Sequence, residues 1–200
     1  MIVFKKIISL FSVVVTIFLM YFGSYLPFKK SQLLIDSMMN WQSQKIRTLQ
    51  DFFDNFNKSL NFFSPVGQEE SIKILGEQIF PLIQNKPPAT IARALVDYLD
   101  EEFNRLPEKS SLGYNQNLLV VASTHEINWF SYKEKKDFEL AQRYFLKGLE
   151  KSPKRPQFLY GLFELYRLSN LDAQAKLIGE EILKYWPEDK NVADIVASIK

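Results

Sequence analysis

The chain reads as an all-α protein: an N-terminal transmembrane helix followed by a stack of helix-turn-helix units. Three observations predict this. An uncharged apolar run, opening at Ile7 and closing at Leu26, stands near the start. Farther on, apolar residues recur in steps of three and four, the period of one helical face. Ala141 recurs as Ala175 and Pro153 as Pro187, both at the same interval. A fixed interval of that size is the signature of stacked helical repeats.

The apolar run, residues 7–26, spans about 30 Å at 1.5 Å per residue, the thickness of a bilayer's hydrocarbon core. Lys5 and Lys6 precede it, Lys29 and Lys30 follow it, and Tyr21 and Tyr25 sit near one end, where aromatic belts form. It is longer than the apolar core of a cleaved signal peptide, and no A-x-A-like site follows it. The reading is an uncleaved anchor over residues 1–28. The basic start places the N-terminus in the cytoplasm and the rest of the chain outside it, although Lys29 and Lys30 nearly cancel that bias.

Residues 29–113 form a helical segment of divergent helix pairs. From 31 to 63 one stripe carries Leu34, Met38, Trp41, Leu49, Phe52, Phe56, Leu60 and Phe63, interrupted by Lys45. No Gly or Pro stands between Pro27 and Pro65, so one or two long helices follow the span, and Ser64-Pro65-Val66-Gly67 ends them. A helix over 68–80 shows Ile72, Leu75 and Ile79 on one face; Pro81, which lacks an amide donor, kinks or ends it. Lys86-Pro87-Pro88 is a turn. Ile91, Leu95, Leu99 and Phe103 define the next helix, which ends near Leu106-Pro107. A polar loop over 108–113 leads to a helix over 115–132, and residues 114–200 hold the repeats. The closing stretch, 191–200, covers the last pair with Val192, Ile195, Val196 and Ile199.

Composition excludes several functions. Beyond Lys5 and Lys6 the chain carries 23 residues of each sign, and no basic run suits phosphate neutralisation; nucleic acid is set aside. There is no cysteine, hence no disulfide or thiolate metal site. His125 is the sole histidine; His125-Glu126 starts like H-E-x-x-H, but position 129 is Trp, and one imidazole builds no such zinc site. No glycine pattern cradles a phosphate. Asp97, Asp100, Glu101 and Glu102 cluster on one helix, which reads as a solvated face. No Ser or Asp identifies itself as a partner of His125. Asn57-Lys58-Ser59 matches a glycosylation acceptor inside a helix. No enzyme activity, cofactor or metal is expected.

The repeat residues can be matched to a family. Ala141-x3-Phe145-x2-Gly148-Leu149-x3-Pro153 is similar to the second helix of a tetratricopeptide (TPR) repeat with its closing proline. Leu159-x2-Leu162-x3-Tyr166 and Ala175-x3-Gly179-x2-Ile182-x4-Pro187 resemble the two helices of the next one. Gly148 and Gly179 then serve close helix packing. The resemblance implies a concave, protein-binding face. Counted from Pro156, it holds Gln157, Tyr160, Glu164, Arg167 and Leu168. Counted back by one repeat interval, it holds Ser123, Glu126, Phe130 and Lys133. There Asn128 and Trp129 occupy the Leu and Gly signature positions, which suggests an insertion around 131–136.

The order of parts also resembles the C-terminal tail of bacterial O-antigen ligase/polymerase-like membrane proteins. The residues behind this are Gln32-Leu33-Leu34, Phe56-x-Lys58-Ser59-Leu60-x-Phe62 and Ser64-Pro65-Val66-Gly67-Gln68-Glu69, ahead of the repeats. The chain has one candidate span and no large loop of the ligase kind, so no catalytic residue carries over. The resemblance implies a membrane-anchored TPR-like interaction module accessory to cell-envelope glycopolymer assembly, with a membrane glycan ligase or polymerase as partner. A tail fragment or subunit of a split ligase, and a secreted TPR scaffold, are the alternatives.

Overall fold

The structure, a computed structural model, describes residues 2–43, 45–108 and 111–199. Part of the expected 108–113 loop, the Lys5 side chain and Lys200 lie outside the described residues. Every described element is helical: α1 Ile2–Met20, a π-helical stretch Tyr21–Tyr25, α2 Leu26–Gln42, α3 Leu49–Leu60, α4 Gln68–Gln84, α5 Ala89–Asn104, α6 Leu112–Tyr132, α7 Lys135–Lys151, α8 Pro156–Leu168, α9 Asp172–Tyr185 and α10 Lys190–Ser198. The chain divides into two compact units, residues 1–71 and 72–200.

In the first unit one helix is long and apolar enough to cross a membrane. It runs without a break over Lys6–Gln42, and its apolar stretch has a mean hydropathy of 2.2. Leu10, Phe11, Ile17 and Leu19 are all more than 60% exposed, so no other described part of the chain covers this apolar surface. Pro27 falls in the first turn of α2, where its missing donor breaks few bonds. Between them the Leu26 amide donates five residues back, to the Tyr21 carbonyl. The apolar helix therefore continues into α2 with no linker after residue 28.

α3 folds back on α2. Thr48 and Asp51 form a reciprocal capping box at its start. Phe52, Phe56 and Leu60 are buried with Leu34, and Trp41 meets the Phe52 ring edge-on at 5.2 Å. Ser37 Oγ donates to the Asn55 carbonyl at 2.8 Å and Asn55 Nδ2 donates to the Ser37 carbonyl at 2.7 Å, so polar atoms inside the contact satisfy each other. Phe63, placed on the stripe by its spacing, is 69% exposed, because the helix ends at Leu60. Lys30 is no free flanking charge: it is buried, and its ammonium donates to the Phe62 carbonyl at 3.0 Å and to Gln68. Ser59 of the glycosylation triplet is fully buried and donates to the Phe56 carbonyl, so the triplet is part of the packing.

In the second unit Ile72, Leu75, Ile79 and Ile83 of α4 are fully buried, each worth about 1.5–3 kcal/mol of apolar burial. Pro81 does not end α4, which continues to Gln84. On α5, Leu95, Leu99 and Phe103 are buried as expected; Ile91 is 38% exposed, and Ala92 takes the inward position. α6 begins at Leu112, so Gly113 belongs to the helix and not to the loop.

α5 packs on α6, α6 on α7, α7 on α8, α8 on α9 and α9 on α10, while α6 also meets α8. Glycines set the closest approaches. A methyl group on Gly148 would strike the Phe158 ring, and one on Gly161 would strike the Phe145 ring; α7 and α8 each seat the other's phenylalanine against bare backbone. The repeat interval is also geometric. α7 ends at Ser152 (φ −148°, ψ 74°) and α9 at Trp186 (φ −131°, ψ 73°), and the next helices open at Pro156 and Lys190. Only Lys133 and Glu134 lie between α6 and α7, and Lys133, like Asn170 between α8 and α9, is in the left-handed region. α7 has 17 residues against 14 in α9, and because the two end at equivalent positions the additional residues stand at the start of α7, next to the expected insertion.

Candidate functional site

Four of the residues counted onto the inner face come together. Ser123, Glu126 and Phe130 recur along one face of α6, and with Ile127, Phe80 of α4 and Leu168 at the end of α8 they line a pocket of about 250 Å³. Its walls are chiefly apolar. Phe130 stands at the rim, 46% exposed. Glu126 is the ionisable group among the lining residues. Burial, together with the nearby Glu164 carboxylate, pushes its carboxyl up to about 7: an apolar surrounding disfavours the charged form, and a like charge adds to that. Glu164 is differently placed, because Arg167 pairs with it at 2.6 Å.

The other expected residues point elsewhere. Tyr160 donates its hydroxyl to Asp189 and lies 6.0 Å from the Trp186 ring, so it ties α8 to the start of α10. Burial and the Asp189 carboxylate push its hydroxyl up to about 12. Gln157 is exposed. Lys133 lays its ammonium 4.1 Å from the Trp129 ring and 4.8 Å from the Phe130 ring, a cation–π contact of modest strength.

A second constellation was not legible as such. His125 is fully buried. Its Nδ1 lies 2.9 Å from Asp137 Oδ1 and its Nε2 3.4 Å from Asp100 Oδ1. Asp137, also fully buried, accepts from Asn128 Nδ2 at 2.7 Å and from both terminal nitrogens of Arg93, which reaches Glu134 as well. The Tyr144 hydroxyl donates to Asp100. Burial alone disfavours the charged imidazole, but hydrogen bonds that Asp100 and Asp137 accept from it, with their negative charge, outweigh burial and raise the His125 pKa. Burial likewise works against both carboxylates; bonds from His125 and its neighbours more than offset it and hold Asp100 and Asp137 below the usual range.

This network joins α5, α6 and α7. Asp100 and Asp97, read as part of a solvated face, belong to it or to its edge: Lys136 reaches Asp97 at 2.8 Å. Glu102 is buried as well. The network places no nucleophile beside His125, whose two nitrogens are both committed to carboxylates. The arrangement ties three helices together around a buried imidazole held between two carboxylates. Among the described residues no three His or carboxylate groups gather as metal ligands.

Phe80 and Ile127 of the pocket, and Arg93, Asn128 and Asp137 of the network, were missed by sequence reasoning. One signal was present: Asn128 sits where the repeat pattern wants leucine, and a polar residue in a core position requires a partner.

No family model, curated protein or solved structure matches the chain.

Proposed function

We propose that the protein is a membrane-anchored, TPR-like interaction module without catalytic activity of its own. The observation that carries this reading is the coincidence of sequence and backbone period: two helix ends with matching dihedrals, at Ser152 and Trp186, stand on the same spacing as Ala141 and Ala175, both fully buried. Such units complete each other's cores and present a shared face. The pocket lined by Glu126, Phe130 and Leu168 is the binding part of that face. The apolar helix holds the module at a bilayer, with its N-terminus in the cytoplasm and the helical units on the other side. By its resemblance to the tails of O-antigen ligase-like proteins, its setting is cell-envelope glycopolymer assembly, and its partner is a membrane glycan ligase or polymerase.

Photoreactive residues in place of Phe130 and Leu168, installed in the full chain in cells, test the reading. A discrete adduct with a multi-span glycan ligase or polymerase at both positions, lacking at the exposed Leu177 of α9, is expected. An adduct with an unrelated soluble protein would keep the module and remove the glycan setting. Equal labelling at all three positions, or none, would overturn the interaction reading.

A further inference from the structure

The pocket between α4, α6 and the end of α8 combines apolar walls with one carboxylate. Phe80, Ile127, Phe130 and Leu168 supply the walls and Glu126 the charge. Among the described residues no hydrogen-bond donor or cation engages the Glu126 carboxylate; its one charged neighbour is the like-charged Glu164. The nearby cations are already engaged. Arg167 holds Glu164, and the Lys133 ammonium lies over Trp129 and Phe130.

A carboxylate drawn away from water without a partner destabilises the free protein, and an external cation relieves that penalty. The walls bear on which cation fits. A hydrated metal ion needs several oxygen ligands, whereas the lining offers one carboxylate. An apolar stem ending in a charge suits both parts of the lining, as lysine and arginine do when their methylenes lie on apolar surface. At about 250 Å³ the space falls below the roughly 300–1,000 Å³ of pockets for drug-sized molecules, and a single long side chain is the matching size. The exposed rim at Phe130 leaves apolar surface for a neighbouring residue of the same segment.

We propose that this pocket receives a lysine or arginine side chain of a protein partner, its cation pairing with Glu126 and its stem lying against Phe130 and Leu168. The inference rests on the reading of the chain as an interaction module and adds the chemical class of residue that the module selects.

The full chain in lipid nanodiscs, panned against a displayed library of random peptides, tests it. Selected peptides are synthesised, and their affinities are measured for the wild type, Glu126→Gln, Phe130→Ala and the control Leu177→Ala. Each peptide is also made with norleucine in place of its basic residue. The expected result is a shared Lys or Arg next to an apolar residue. Glu126→Gln then weakens binding about 10- to 100-fold, the range of a charge-assisted contact, and the norleucine peptide loses a similar factor with little further loss on Glu126→Gln. Glu126→Gln removes an unpaired charge, so misfolding is not the expected cause of lost binding. Peptides that need Phe130 but show no basic preference, and bind Glu126→Gln equally well, would overturn the cation proposal and leave the interaction surface standing. Peptides indifferent to Phe130→Ala, or no selected peptide, would overturn both.

Discussion

Replacing Glu126 with glutamine removes a half-buried carboxylate that has no hydrogen-bond or ion-pair partner among the described residues, and its effect on stability depends on pH in a definite way. The folded carboxyl titrates at about 7 against an ordinary value of 4.5. Between those values the native state holds a proton that the unfolded chain has released, so stability falls as pH rises through the window and levels above it. A displacement of about 2.5 pH units at about 1.4 kcal/mol each is a destabilisation of about 3 kcal/mol once the group is fully ionised. Glutamine keeps a polar amide in the same place, so the expected gain is about 2 kcal/mol at about pH 8, shrinking toward zero at about pH 4. Urea unfolding of the full chain in nanodiscs, followed by far-UV circular dichroism across that range, measures it. A stability difference that does not change with pH, or a glutamine variant less stable than the wild type at about pH 8, would refute the reasoning.

Three further outcomes are expected. Asp137→Ala strips the acid from His125, Asn128 and Arg93 and leaves buried cations unmatched; unfolding should show a loss of about 3–5 kcal/mol. His125 has a raised folded pKa, so its contribution is complete below about pH 6.5 and lost as pH climbs through the folded value; His125→Asn should flatten that part of the stability profile, and an unchanged slope would contradict it. Gly148→Ala and Gly161→Ala force a methyl group into Phe158 and Phe145 and should each cost about 1–3 kcal/mol in the same unfolding assay. Gly23→Ala, with nothing within 4 Å of the new atom, should leave that stability unchanged.

The helices were legible because their signals are local. Spacing of three and four, a proline one turn past a helix and the uncharged run from Ile7 to Leu26 are read within one window of sequence. Ser123, Glu126 and Phe130 were reached by counting back one repeat interval, and they share one face of α6 because they stand about one turn apart. What failed was long-range or subtle. Arg93 stands 44 residues from Asp137, and nothing near either names the other. Asp97, Asp100, Glu101 and Glu102 look alike on paper, yet Glu102 is buried, Asp100 meets His125, and Glu101 pairs with Arg105 on the surface. The tightness of the α6–α7 turn was not legible, because a left-handed Lys133 closes it in two residues, a conformation that lysine does not advertise. Lys30 gave no sign that the Phe62 carbonyl and the Gln68 side chain would draw it inward.

The π-helical stretch at residues 21–25 has a rotational consequence. An α-helix advances about 100° per residue, and one wide turn acts like a single inserted residue within an otherwise regular helix. It offsets, by about that angle, the azimuth of Leu34 and Ser37, where α3 docks, from the positions they would take on an unbroken α-helical continuation of α1. Tightening that turn to a regular one would leave the length of the apolar helix almost unchanged but swing α3 about a quarter of the way around the helix axis. The stretch thus works as an angular gauge, setting the rotation of the α2–α3 hairpin relative to the apolar helix that precedes it.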